Sequence, residues 1–357
     1  MSAVSMTHPA SPGVLTAGIA DVEVLLKQLK ARKAQLPLEG QMPELVGAEG
    51  WLNSPPLTRE DLAGNVVLFD FWTYTCINWL RTLAYVRAWA DKYRDHGLVV
   101  VGVHTPEFPF EADPANVRTA VQQMNIGYPV ALDPNFALWN AFDNHYWPAL
   151  YIVDAEGRIR HHHFGEGGFD MTEMVLQQLL AWAGFTSFAP GLVAPDARGV
   201  EAEADWSALA SPETYVGYEQ AENFSSPGGV VTDGAAVYTA PDKLRVNEWA
   251  LTGDWTVGGR AGTVNAAGGS LVFRFHARDV HLVMAPGAGG GARRFHVSLD
   301  GSPPGDAHGL DVDGAGAGLV REPRLYQLIR QQGGVEDRTI EIVFEDPGAE
   351  AYVFTFG

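Results

Sequence analysis

Val66-Val67-Leu68-Phe69-Asp70-Phe71-Trp72-Thr73-Tyr74-Thr75-Cys76-Ile77-Asn78-Trp79 is the stretch that decides the fold. Its first seven residues form a nearly continuous apolar run after Gly64-Asn65, the pattern of a strand buried on both faces. From residue 77 to 95, Leu80, Leu83, Val86, Ala90 and Tyr93 fall along one side of a helix, and Leu98 to His104 is a second buried strand. Strand, helix and strand within forty residues make a βαβ unit. The single cysteine of the chain stands where the first strand gives way to the helix. The N–H groups and partial positive charge of a helix N-terminus favour a thiolate, so Cys76 is expected to have a lowered pKa and to act as a nucleophile.

Working outward, residues 113 to 124 and 134 to 142 read as helices, 128 to 132 as a short strand, and Ala149 to Asp154 with Arg158 to Phe164 as a hairpin turning at Glu156-Gly157. A helix over 170–183, with Met174, Leu176, Leu179 and Leu180 inward, closes an α/β domain over residues 45–188. Ahead of it, residues 1–44 are a helical extension whose amphipathic part, 14–34, packs on the domain or mediates a homodimer. Residues 189–211, rich in Ala, Pro, Gly and acid, read as a linker. From 212 to 357, short β-branched and aromatic runs alternate with Gly, Asn and Asp turns. Several alternate apolar and polar residues, which implies antiparallel sheets with one wet face and an all-β sandwich of jelly-roll type.

The 357 residues carry a formal charge of −19, which argues against nucleic acid or an anionic membrane surface as partner. One cysteine excludes an internal disulfide framework and a multi-thiolate zinc site. Residues 1–13 show no charged region followed by an apolar core, and no run approaches the roughly 18 apolar residues of a membrane span. A cytoplasmic protein without cofactor or metal is the expectation.

The phrases around Cys76 resemble the thioredoxin superfamily, with Phe71-Trp72 ahead of the cysteine and Tyr146-Trp147-Pro148 before a strand, like that family's cis-proline loop. Trp72 to Asn78, Gly102 to Phe108, Tyr146 to Pro148 and Phe164 to Gly167 are closer still to the soluble half of DipZ-type proteins. In that group a redoxin domain of the TlpA and DsbE kind precedes a sandwich resembling a carbohydrate-binding module. The resemblance implies thiol–disulfide chemistry, with Asp70 behind the sulfur as a proton shuttle or a structural partner. It also identifies Trp79 as standing at the position of the family's resolving cysteine, so one sulfur is left to work with a protein or low-molecular-weight thiol.

Trp72, Tyr74, Trp79 and Trp147 are read as ringing the site, as a docking face or as core. Thr73, Thr75, Asn78, His104, Glu107 and Pro148 complete the candidate lining. Thr73-x-x-Cys76 also satisfies a short peroxiredoxin pattern, with Arg81 as a candidate arginine, so a one-cysteine peroxidase is a second reading and a non-catalytic binding protein a third. His161 and His163 can share one strand face, but a solvated strand explains them better than a metal site. Trp249, Trp255, Tyr326 and Tyr352 are read as core packing or as surfaces that stack on a glycan.

Overall fold

Strand β3 (Val66–Trp72) is buried along its whole length, and its alternation assigns each residue to a side. In the computed structural model, which describes residues 36–357, Val66, Leu68 and Trp72 enter one core while Val67, Phe69 and Phe71 enter another. The first core takes helices α2 (Ile77–Tyr93), α3 (Pro114–Gln123) and α5 (Phe169–Trp182); the second takes α1 (Arg59–Leu62) and α4 (Ala137–Ala141). This is why the strand reads as a continuous apolar run. The helix expected over 14–34 lies outside the described residues.

Around β3 stand β4 (Leu98–His104), paired in parallel from Val66↔Leu98 to Trp72↔His104, and β6 (Ala149–Val153), paired antiparallel. The remaining strands are β1 (Gly40–Gln41), β2 (Gly50–Leu52), β5 (Val130–Leu132) and β7 (Arg158–Phe164), in the order β1-β7-β6-β3-β4-β5-β2. Helix α4 begins at Ala137, three residues later than the sequence suggests, because the Asp133 carboxylate accepts the N–H groups of Leu138 and Trp139 at 3.0 and 2.9 Å. Residues 134–136 are thereby held as a turn.

The segment leading to the second half is tied down by buried polar contacts. The Glu173 carboxylate of α5 accepts hydrogen bonds from Trp89 Nε1, Tyr93 Oη and the backbone N–H of Val193, at 3.1, 2.5 and 2.7 Å.

The second half is an antiparallel, sheet-rich unit. Its strands are β8 (Thr214–Tyr215), β9 (Ala235–Tyr238), β10 (Trp249–Val257), β11 (Gly262–Val264), β12 (Ser270–His276), β13 (Asp279–Ala285), β14 (Arg293–Leu299), β15 (Ala317–Val320), β16 (Arg324–Arg330), β17 (Asp337–Phe344) and β18 (Glu350–Phe356). The main path runs β15-β14-β17-β12-β10-β11-β18-β13-β16. Strand β10 curls the sheet: Trp249–Thr252 pair with β12, and the residues after Gly253 pair with β9 and β11. Gly253 has φ +79°, and a Cβ there would meet the Gly269 Cα at 2.9 Å, so the corner requires glycine. The curl encloses a core containing Trp249, Trp255 and Tyr326, which are therefore not free to stack on a sugar.

The expected wet face is absent from part of this unit. On β13, Val280, Leu282 and Met284 enter the sheet's own core, while Val283 and Ala285 join the core of the first domain, along with Leu325, Tyr352 and Val353. From Leu282 on, β13 is apolar on both sides because each side meets a different core. The short β-branched run at residues 230–232 forms no strand, only a single bridge from Thr232 to Val257. Among the described residues no helix is long and apolar enough to cross a membrane.

Candidate active site

After β3 ends at Trp72, the chain turns through Thr73 to Cys76, closed by the Cys76 N–H donating to the Thr73 carbonyl at 3.3 Å. Cys76 is the residue preceding α2, half-buried, with extended φ and ψ of −73° and 113°. The thiol is at the helix N-terminus, as the sequence suggests, but the pKa expectation fails. Burial pushes the thiol well above its ordinary value, and the carboxyls of Glu107 and Glu213 push the same way; the backbone N–H groups of Trp79 and Asn78 oppose them and are outweighed.

Trp79, at the position of a resolving cysteine, has a bonded role. Its indole N–H donates to both oxygens of the buried Asp70 carboxyl at 3.2 and 3.1 Å, and the Tyr128 hydroxyl lies 3.4 Å from Oδ2. Burial raises Asp70 to about 7 despite these donors. Trp72 stacks on Trp79 with centroids 4.2 Å apart. Trp72, Tyr74 and Trp79 are all buried, so they form the floor beneath the thiol rather than an exposed docking ring. Trp147 is half-buried and donates to the Thr105 carbonyl at 3.0 Å.

The loop after β4 closes over the turn. Thr75 Oγ1 donates to Glu111 Oε1 at 2.6 Å, and Glu111 Oε2 accepts the N–H groups of Glu107 and Phe108 at 2.8 Å each. His104 is buried edge-on to Trp72 and stacked on Tyr74, and burial lowers its pKa to about 3. It is thus a neutral packing group. Thr73 is buried and Asn78 half-buried on the first turn of α2. The Trp147–Pro148 bond is cis, and the pairing of Ala149 with Phe71 places Pro148 opposite the end of β3.

Arg81, the candidate peroxidatic arginine, is committed elsewhere. It is buried, 3.2 Å from Glu166 Oε2, and donates to the Phe356 carbonyl at 3.0 Å. His161 and His163 are half-buried, while His162 lies 2.7 Å from Glu39. Among the described residues no group of three or more His, Cys, Asp or Glu side chains is placed to hold a metal ion.

The structure adds Glu111, Glu213 and Tyr215 to the candidate site. Glu111 had a weak signal, an acid directly after the aromatic run Phe108-Pro109-Phe110. Glu213 and Tyr215 had none, since they reach the thiol only through the docking of the second unit.

Two family models match the chain: the AhpC/TSA family over residues 48–162, and the thioredoxin-like C-terminal domain over residues 211–357. Protein DipZ of Mycobacterium bovis is 36% identical over 328 residues, covering 91% of this chain and 44% of that protein. The thiol-disulfide oxidoreductase YkuV of Bacillus subtilis is 36% identical over 147 residues, covering 41% of this chain and 98% of that protein. This chain belongs to the thioredoxin-like thiol–disulfide oxidoreductase family. A solved thioredoxin-like protein in its oxidised form is 36% identical, with a TM-score of 0.38 over 41% of this chain and 97% of that one. The chain spans less than half the length of the DipZ proteins it matches.

Buried carboxyls give this thioredoxin-like domain an unusual pH response. Burial raises Asp70 and Glu166 to about 7 and Glu107 to about 8. An acid raised in the folded state contributes stability that is fully present below its unfolded pKa and lost as pH rises through its folded pKa. His104 and His281, both lowered to about 3, act in the opposite sense, but only below the unfolded histidine pKa of about 6.5. From about pH 6.5 to 8 the carboxyls therefore dominate, and the unfolding free energy is expected to fall by about 2 kcal/mol. Urea titrations across that window measure it; a midpoint that stays level or climbs would refute the assignment.

Proposed function

We propose that this chain is a thiol–disulfide oxidoreductase that works through one sulfur. Cys76 attacks a disulfide of a protein or small molecule, becomes a mixed disulfide, and is released by a second thiol supplied by the partner. The observation that carries this reading is Trp79: the place of a resolving sulfur is filled by an indole bonded to Asp70, while Cys76 keeps a half-buried position at the mouth of the turn. Asp70 then serves the floor of the site as the acceptor of the Trp79 indole N–H.

The test is exchange between glutathione disulfide and a reporter thiol. The parent chain is expected to accelerate it at least about tenfold over Cys76→Ser. Rates equal in the two proteins would leave the reading of a binding protein with a degenerate site. Thiol-dependent consumption of peroxide, lost in Cys76→Ser, would instead favour the peroxidase reading, which the engagement of Arg81 with Glu166 and Phe356 disfavours.

The second unit is further read as a jelly-roll module of the carbohydrate-binding kind. Its curled antiparallel sheet around one core supports this. With Trp249, Trp255 and Tyr326 in that core and Tyr352 against the first domain, a sugar face would use other residues; failure of the full chain to be retained on any glycan of a panel would remove the reading.

A further inference from the structure

The second unit reaches the thiol through strand β8. Tyr215 on β8 pairs with Val353 of β18, and the neighbouring Tyr352 packs edge-on against Phe108 and Phe110, with centroids 5.1 and 4.9 Å apart. This docking brings the Tyr215 hydroxyl to 2.6 Å from Glu107 Oε1 and 3.1 Å from Glu213 Oε2. A hydroxyl has one hydrogen to give. It points that hydrogen at Glu107, the nearer oxygen, or shares it between the two carboxyls. The Tyr215 hydroxyl thus bridges Glu107 and Glu213. The loop that carries Glu107 is tied to the turn of Cys76 through Glu111 and Thr75.

We propose that the second unit completes the thiol site, with Tyr215, Glu213 and Glu107 forming a relay that carries the Cys76 proton to the sulfur leaving a partner disulfide. The inference rests on the single-sulfur reading above. Burial, reinforced by Glu213 and Glu111 and opposed by the Tyr215 hydrogen bond and Arg260, raises Glu107 to about 8, so it exchanges protons near neutrality. A thiol that burial and two carboxyls keep protonated needs such an acceptor before it attacks.

The step balances as follows. The Cys76 Sγ–H bond breaks and its proton passes to a carboxylate of the relay. The sulfur pair attacks one sulfur of R–S–S–R, forming Cys76 Sγ–S–R, and the S–S electron pair leaves on the other sulfur. That sulfur takes the proton back and departs as R–S–H. Cys76 is oxidised to the disulfide level and the leaving sulfur is reduced to a thiol.

Leaving-group dependence tests the relay in the full chain. Glutathione leaves as a basic thiolate that profits from a proton, whereas nitrothiobenzoate leaves readily as the anion. Tyr215→Phe and the exposed-site variant Glu213→Gln are each expected to slow mixed-disulfide formation with glutathione disulfide at least about tenfold. With the aromatic disulfide of nitrothiobenzoate, whose leaving sulfur needs no proton, only the loss of the acceptor is felt, so the slowing is expected to be several-fold smaller than with glutathione disulfide. Equal slowing, or equal acceleration, with both disulfides would overturn the relay and leave the single-sulfur exchange standing. A parent chain that forms a mixed disulfide with neither probe would overturn the exchange reading itself, and the relay with it.

Discussion

Trp79→Ala is expected to lower the unfolding free energy by about 3–5 kcal/mol, the cost of emptying a fully buried tryptophan site. The indole is stacked on Trp72 and bonded to Asp70, so truncation opens a cavity beneath the thiol and removes the principal donor to a buried carboxyl. Trp79→Phe separates the two losses. It keeps most of the volume and removes the N–H, for which about 1–3 kcal/mol is expected. Urea unfolding of parent and variants at one pH measures both; a loss below about 1 kcal/mol for the alanine variant would mean that the floor of the site carries little of the fold.

Arg81→Ala is expected to cost a similar amount, about 3–5 kcal/mol, by a different route. Arg81 starts in helix α2 of the first domain and ends on the carbonyl of Phe356 in the last strand of the second. Without it, Glu166 is left buried with no cation and the Phe356 carbonyl loses a donor. Replacing Arg81 and Glu166 together by methionine should recover much of the loss, because a buried pair removed as a unit leaves no stranded charge. Circular dichroism and tryptophan fluorescence followed through the same denaturant series check the coupling. In Arg81→Ala the two signals are expected to separate, one unit opening before the other; coincident transitions at the parent midpoint would contradict the clamp.

Much of the first domain was legible because its signals are local. The run Val66–Trp72 has two buried faces, the cysteine sits at a strand-to-helix turn, and both survive in the structure as read. What escaped was set by contacts distant in sequence. Cys76 reads as an activated thiol from its helix N-terminus alone, yet burial and two carboxyls, one of them 137 residues away in sequence on the second unit, reverse the sign. Trp72, Tyr74 and Trp79 read from the sequence as a docking face or as core, and their burial under the loop that carries Glu111 decides for core. Strand β16 carries little local signal for a related reason: buried on both faces between two cores, it offers no simple alternation.

Trp79 in contact with Asp70 has a thermodynamic corollary. A dithiol enzyme has an intramolecular oxidised form, and therefore a midpoint potential of its own against which a compartment can poise it. With an indole in the second position this chain has no such couple. Its disulfide forms are mixed disulfides with a second molecule, so the fraction of Cys76 that is capped at any moment follows the composition of the surrounding thiol pool as well as the exchange equilibrium set by the buried thiol.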